Sequence, residues 1–271
     1  MKPPASCVVV LFVASACTNV QTDPGAGPST ERVDTLGAPP YVFVDLAVAD
    51  GLYSHDARGD AGRASGRTDG GYARLRGEFL GDSAMGAGLA IEGTRSDTDL
   101  LEHRSFGTYG HTGDVYLYSL YYVAGIPPST DAFRLPFRFG PYYHRLAIES
   151  DSIPSRVDWA GIGGRLEVEP EYWLLQRDDF SFGLIGGVSG GIHFSDVDIR
   201  GGNSRTTVSG EGYTLGASLG LQALFARRVT SRLGFIYRES IESSSDTETA
   251  FQVKGASATF RGIEFAIGVR F

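Results

Sequence analysis

Cysteine and lysine are scarce in this chain, and long hydrophobic runs are missing. Its 271 residues include two cysteines, Cys7 and Cys17, and two lysines, Lys2 and Lys254, so nearly all of the 24 basic residues are arginines. The formal net charge of −8 excludes the basic surface that nucleic-acid binding requires. No apolar stretch reaches the roughly 18 to 20 residues of a membrane-spanning helix, so a helical membrane protein is excluded as well.

Glycine, by contrast, is abundant, with 37 residues, or about twice its usual share. The glycines lack the three-residue period of collagen. Many tight turns and many strand positions that admit only a small side chain explain their number. One large domain is expected, because all-β barrels of this size commonly stay single. The arginines suit fixed, bidentate pairing with carboxylates inside a structure better than solvated surface positions.

The N-terminus has the pattern of an export signal. Lys2 precedes an apolar stretch from Cys7 to Ala16, which predicts a signal peptide over residues 1–16. The end of this stretch resembles a bacterial lipobox, although Ala14 stands where the family usually has leucine. The resemblance implies lipidation of Cys17, while Ala14 and Ala16 also satisfy ordinary signal-peptidase cleavage. Residues 17–39 are rich in Pro, Gly, Ser and Thr, and they are predicted to be a flexible tether.

From residue 40 to residue 271, the chain alternates apolar with polar or small residues, which is the period-two pattern of half-buried strands. The pattern predicts an all-β fold, an antiparallel transmembrane β-barrel of about ten strands. Most segments reach the roughly 9 to 11 residues that a tilted strand needs to cross a bilayer. The predicted strands are 41–53, 71–81, 85–95, 114–123, 133–147, 159–171, 180–195, 211–225, 232–241 and 257–271.

Each predicted strand has one aliphatic or aromatic face and one face of Gly, Ser, Arg and Glu. Leu75 and Phe79, for example, alternate with Arg74, Arg76 and Glu78. Period two alone does not say which face is outside, because a soluble barrel would turn its aliphatic face inward. Ten strands of Phe and Leu would overfill a small interior, whereas glycines leave room for charged side chains. We therefore expect the aliphatic faces to contact lipid.

The connections between these strands alternate between short and long segments. Outer-membrane barrels have short periplasmic turns and long extracellular loops, and this order requires an even number of strands. The predicted long loops are 54–70, 96–113, 148–158, 196–210 and 242–256.

The last predicted strand carries the most specific signal. Ile263, Phe265, Ile267 and Val269 share one face with the terminal Phe271. This resembles the C-terminal signal of bacterial outer-membrane proteins, so the chain resembles the small outer-membrane β-barrels. The resemblance implies a location in the bacterial outer membrane, contact with its lipid and lipopolysaccharide, and recognition by the barrel-assembly machinery. Aromatic residues near the predicted strand ends are assigned to the girdles at the membrane surfaces. They are Trp159, Tyr172, Trp173, Tyr213 and Tyr237.

Charged residues fill the face that is predicted to line the lumen. A salt-bridged plug is expected, since a small barrel hydrates its inner charges poorly. A narrow pore with arginines along one wall is the alternative. The set comprises Arg74, Arg76, Arg134, Arg138, Arg165, Arg232 and Arg238 with Asp45, Glu78, Glu92, Glu167, Glu169 and Glu264.

One pair of residues invites a catalytic interpretation. His193 and Ser195 share the predicted inward face, and the segment resembles the His-x-Ser of the barrel-shaped lipid A 3-O-deacylases. Asp196 stands where that family has asparagine, and Glu211 is a candidate orienting acid. An ordinary hydrogen-bonded His–Ser pair is the favoured interpretation.

Two further clusters are assigned no chemistry. The spacings in the second long loop match no zinc or EF-hand pattern, so an acidic surface loop is expected there. Its members are Asp97, Asp99, Glu102, His103, His111 and Asp114. Tyr116, Tyr118 and Tyr122 alternate along the fourth predicted strand and are interpreted as barrel filling or girdle, with a ligand-stacking ladder as the alternative.

The sequence therefore predicts a non-catalytic outer-membrane barrel with a structural or surface-interaction role, with no cofactor and no metal site. A narrow diffusion channel and a lipid A-modifying enzyme are the alternatives. Other proteins of the envelope are possible partners, and nucleic acid is not.

Overall fold

The computed structural model describes residues 41–59, 62–81, 85–96, 99–103, 107–126, 132–150, 156–177, 179–201, 204–244 and 253–271. The predicted signal peptide, the tether and Cys17 lie outside these residues.

Every regular element in the described part of the chain is a β-strand. No helix there is long and apolar enough to span a membrane. The strands are β1 (Tyr41–Gly59), β2 (Gly62–Leu80), β3 (Met85–Ser96), β4 (Asp99–His103), β5 (Gly107–Ile126), β6 (Phe133–Ser150), β7 (Arg156–Val168), β8 (Glu171–Gln176), β9 (Phe180–Gly201), β10 (Ser204–Phe225), β11 (Val229–Ser244) and β12 (Val253–Arg270).

The strands close into an antiparallel barrel of ten wall strands. Neighbouring wall strands pair with each other, and β1 pairs with β12 to close the wall. β3 and β4 both pair with β2 and β5 and form one interrupted wall strand. β7 and β8 both pair with β6 and β9 and form a second one. The interruption includes Pro170, which has no N–H to donate to the ladder. The prediction of an antiparallel barrel of about ten strands is confirmed.

The outward faces form the expected apolar band. Leu219, Ile263 and Leu120 are each more than 60 % exposed, and outward apolar residues recur on all ten wall strands. The inward faces alternate with them and hold arginine, carboxylate and glycine, as the sequence predicted. This arrangement suits a lipid-facing surface around a polar interior.

Most of the predicted long loops are strands, which corrects the sequence analysis. β1 and β2 pair from Tyr41 opposite Leu80 to Gly59 opposite Gly62, so 54–70 is almost wholly strand. β9 and β10, with 22 residues each, pair across nearly all of 196–210. The outer parts of both hairpins carry polar residues on the outward face and buried apolar residues, such as Tyr53 and Val197, on the inward face. The apolar residues thus change sides although the backbone ladder continues.

The other three predicted loops are shortened in the same way. β4 and the first residues of β5 form a small hairpin within 96–113. β6 continues to Ser150 and β7 begins at Arg156, while β11 continues to Ser244 and β12 begins at Val253. Strands of this length are about twice what a bilayer crossing needs. We call the parts that continue past the apolar band, at the end opposite the short turns, the outer extension.

Candidate functional site

The barrel lumen holds the main concentration of buried charge, and its lower part is an ion-paired network. Arg138, on β6, crosses the lumen to Glu78 on β2, with Nε 2.5 Å from Oε1. The same guanidinium lies 3.1 Å from Glu167 and 3.3 Å from Glu169. Tyr121 donates a further hydrogen bond of 2.9 Å to Glu78. A single arginine thus ties three strands of the wall to one another.

Arg76 forms the second centre of this network. Its Nη2 lies 3.0 Å from Asp45, and its Nη1 lies 3.3 Å from Glu169. Arg232 also contacts Asp45, from β11. Arg76 is 2 % exposed and Asp45 is fully buried, so these charges are satisfied by each other. The predicted salt-bridged plug is what the structure contains.

A second tier of charge is centred on Glu92, nearer the outer extension. Tyr72 donates a hydrogen bond of 2.8 Å to Glu92, and Arg165 and Arg238 also contact this carboxylate. Beside the tier lies a cavity in which about 40 Å³ is open to the centres of water molecules, bordered in part by Ser240 and Thr214. That volume is sufficient to hold water.

Above this tier, three buried side chains converge from three different strands. They are His144 on β6, His193 on β9 and Glu242 on β11, and we call them the His–His–Glu cluster. Nε2 of His193 lies 2.9 Å from both carboxylate oxygens of Glu242, and Nδ1 of His144 lies 3.1 Å from Oε1. The two imidazole rings stack with centroids 4.5 Å apart. All three side chains are fully buried.

Two hydroxyl groups hold the remaining imidazole nitrogens. The hydroxyl of Tyr142 lies 2.7 Å from Nδ1 of His193, and Oγ of Ser240 lies 2.9 Å from Nε2 of His144. Ser240 also donates to Glu242 at 3.1 Å. Each ring is therefore fixed by a hydroxyl on one nitrogen and presents the other nitrogen to Glu242.

The contact between His193 and Glu242 depends on the absence of a side chain between them. Gly212, on β10, stands between the two strands, opposite both residues in the register. A Cβ at this position would lie 2.5 Å from Oε2 of Glu242 and 2.6 Å from Nε2 of His193. Glycine is therefore required here for the two side chains to meet.

An apolar cluster covers the lumen on the side of the outer extension. Trp159, Leu146 and Val197 are completely buried there, and Ile148 is nearly so. Trp159 and Trp173 were predicted to belong to membrane girdles, and that prediction is wrong, because both indoles point inward and are at most 2 % exposed. Tyr172 and Tyr213 are exposed on the outer surface, in keeping with the girdle.

His193 and Ser195 both lie on the inward face, as expected, but they do not form a hydrogen bond with each other. Ser195 is buried, and its hydroxyl has no hydrogen-bond partner among the described residues. Glu211 lies on the outward face of β10 and is exposed, so it does not orient His193. Glu242 takes that place. It was missed because it lies 49 residues away from His193, in a segment predicted to be a loop.

Ser240 contacts His144, which contacts Glu242, and this is the order of a nucleophile, a base and an orienting acid. The contacts match such a triad, but the access of a substrate does not. Ser240 and Glu242 are at most 3 % exposed and His144 is fully buried, so a substrate larger than water does not reach them in this structure.

The remaining predicted residues are dispersed. The side chains of Asp99, Glu102, His103 and His111 lie outside the described part, as does Asp97. Asp114 faces outward, 3.9 Å from Arg95. Tyr118 and Tyr122 are exposed on the outer face, whereas Tyr121 points inward to Glu78.

Comparisons with known proteins give a fold but no family. No protein-family model matches the chain, and no curated protein matches it. The outer membrane protease OmpT from Escherichia coli is similar in structure, with a TM-score of 0.50 and 8% identity over 85% of this chain and 96% of that one. The outer membrane protein OprG from Pseudomonas aeruginosa also matches, with a TM-score of 0.40 and 11% identity over 88% and 99% of the two chains.

At these identities the similarity shows the fold alone. It agrees with the closed antiparallel barrel. The chain is therefore a closed, ten-stranded antiparallel β-barrel, and its fold is shared with outer-membrane proteins.

Proposed function

We propose that this protein is a non-conducting, non-catalytic barrel that acts through its outer extension. The closed lumen is the observation that carries the proposal. Arg76 and Arg138 cross the interior at mid-height and are 2 % and 6 % exposed, and the apolar cluster around Trp159 covers the lumen above them. A hydrated ion has no continuous water to follow past such pairs.

Conductance of the full chain in planar lipid bilayers tests this proposal. The wild type should show no steady current steps. The double variant Arg76→Ser/Arg138→Ser removes both crossing side chains, and it should conduct if it inserts, which verifies that the assay detects an open lumen. Steady conductance of the wild type would establish the channel alternative instead.

Burial of the candidate nucleophile supports the non-catalytic part. Ser240 is 3 % exposed and shares its hydroxyl between His144 and Glu242. We expect lipid A and unstructured peptides to be unchanged, by mass spectrometry, after incubation with the wild type. Modification of either substrate by the wild type, but not by Ser240→Ala, would establish an enzyme.

The outer extension supports the surface role and a contact with lipopolysaccharide. Just beyond the apolar band, the outward faces change to charged residues of both signs, such as Arg95, Asp114, Arg145 and Asp158. Arginine forks suit the phosphate groups of lipopolysaccharide. Purified lipopolysaccharide should raise the unfolding temperature of the wild type in detergent, and Arg95→Ala/Arg145→Ala should reduce that shift. An equal shift in both proteins would contradict this contact.

A further inference from the structure

We propose that His144, His193 and Glu242 bind one divalent transition-metal ion, of the class represented by Zn²⁺. Two imidazoles and one carboxylate are a ligand set that such ions prefer. No local sequence motif identifies the site, because each ligand comes from a different strand of the barrel.

The spacing of the ligand atoms suits a metal. Tetrahedral bonds of about 2.0 to 2.1 Å place neighbouring ligand atoms about 3.3 Å apart. In the structure, Nδ1 of His144 and Nε2 of His193 lie 3.1 Å and 2.9 Å from Oε1 of Glu242. A widening of a few tenths of an ångström is enough to admit the ion.

The contact between His144 and Glu242 needs a proton or a metal ion between its atoms. Ser240 donates its one hydroxyl proton to Glu242, so Nε2 of His144 donates to Ser240. In the neutral ring, Nδ1 then carries a lone pair. That nitrogen lies 3.1 Å from a carboxylate oxygen yet forms no hydrogen bond with it. A lone pair facing a carboxylate is unfavourable unless a proton or a metal ion lies between them, and the other two ligand contacts of Glu242 favour the metal ion.

The surroundings of Glu242 also favour a bound metal ion. Every carboxylate in the ion-paired network around Arg76 and Arg138 contacts at least one arginine. Glu242 is equally buried, and its contacts within the described part of the chain are the two histidines and Ser240. Buried carboxylates are paired with cations or coordinate metals.

The outer hydrogen bonds resemble those that orient metal-bound imidazoles. A ligating histidine usually donates its second N–H to an oxygen. Tyr142 and Ser240 supply such oxygens to His193 and His144. Three protein ligands leave a fourth position for water.

Cobalt binding by the full chain tests the proposal. The protein is produced without a histidine tag and refolded in detergent with Co²⁺, because a buried site is most readily filled during folding. We expect one bound Co²⁺ per chain, with the visible absorption of a tetrahedral nitrogen and oxygen site, and competition by Zn²⁺. His55→Ala, which removes a buried histidine on β1 outside the cluster, should bind equally.

Glu242→Gln and His193→Gln are the informative variants, since both nearly conserve side-chain volume. Each should reduce Co²⁺ binding at least tenfold, while the heat-modifiable gel band shows that the barrel still folds. Gly212→Ala should weaken binding with all three ligands retained. Failure of the folded wild type to bind Co²⁺ would overturn the proposal, and so would binding that persists in Glu242→Gln and His193→Gln. Conductance is measured separately, so the closed-lumen proposal stands or falls independently.

Discussion

Arg138 and Glu78 join two strands that are not neighbours in the wall, with Nε of the arginine 2.5 Å from the carboxylate. Because β2 and β6 are separated by β3 and β5, this pair spans the lumen.

Arg138→Ala should strongly destabilise the barrel, because it leaves Glu78 and Glu167 without this partner in a poorly hydrated interior. Breaking a buried pair from one side typically costs about 3 to 5 kcal/mol. The temperature at which the unheated gel form converts to the unfolded form should fall clearly. Arg200→Ala is the control, since Arg200 is 49 % exposed and such pairs contribute about 1 kcal/mol or less.

A double variant checks the cause of that loss. Arg138→Met/Glu78→Gln removes both charges with similar volume, so it should be more stable than Arg138→Met alone. If the double variant were no more stable than the single one, packing and not charge would explain the effect.

Gly191→Ala should be destabilising by about 1 to 3 kcal/mol, which is the usual cost of overpacking. A Cβ there would lie 2.8 Å from the ring of Tyr142 and would push that side chain away from His193. Gly77→Ala, where a Cβ meets nothing within 4 Å, is the matched control and should be close to neutral. Urea unfolding in lipid vesicles measures both, and equal losses would refute the predicted contact.

Leu219→Arg should destabilise the membrane-inserted barrel by about 2 to 4 kcal/mol, the cost of a basic residue near the bilayer midplane. Leu219 is 69 % exposed within the apolar band. Thr207→Arg, on the same face of β10 but in the outer extension, should cost almost nothing. Unfolding in lipid vesicles distinguishes them, and a tolerated Leu219→Arg would contradict the assignment of this face to lipid.

Acid should loosen the outer extension around Asp158. Partial burial opposes ionisation, but hydrogen bonds and charges from Arg145 and Arg156 hold the pKa of Asp158 below its ordinary value of 3.8. A lowered folded-state pKa stabilises the fold above the unfolded-state pKa, and this contribution is lost as the pH falls through the folded-state value. Between pH 5 and pH 2, hydrogen exchange in β7 should increase more in the wild type than in Asp158→Asn, after correction for intrinsic rates.

Lipidation of Cys17 stays a prediction, since this residue lies outside the described part of the chain. Labelled palmitate should be incorporated into the wild type and not into Cys17→Ala. A mature N-terminal Cys17 with an unmodified thiol would contradict it. Barrel insertion should be equal in both proteins, because it depends on the strands and not on the acyl chains.

The sequence predicted the lumen far better than it predicted the outer hairpins. Arg138 and Glu78 were placed inside because successive side chains on a strand point to opposite faces, and because a small interior has no room for ten strands of Phe and Leu. The hairpin of β9 and β10 was cut short at residue 195, since beyond it the apolar side chains change to the inward face, where Val197 and Ile199 are buried. The side chains that alternate with them are polar and face outward.

What the sequence by itself determined is which residues share a face, since the pleat fixes this locally: within the apolar band, arginines, carboxylates and glycines point inward, and Leu, Ile and Phe point outward. What only the tertiary structure decided is which inward residues meet. His144, His193 and Glu242 lie on three strands, and their convergence depends on the register of the whole wall and on Gly212, which leaves space between two of them. Pairing across a closed barrel is a property of its tilt and curvature, which no segment of the sequence contains alone.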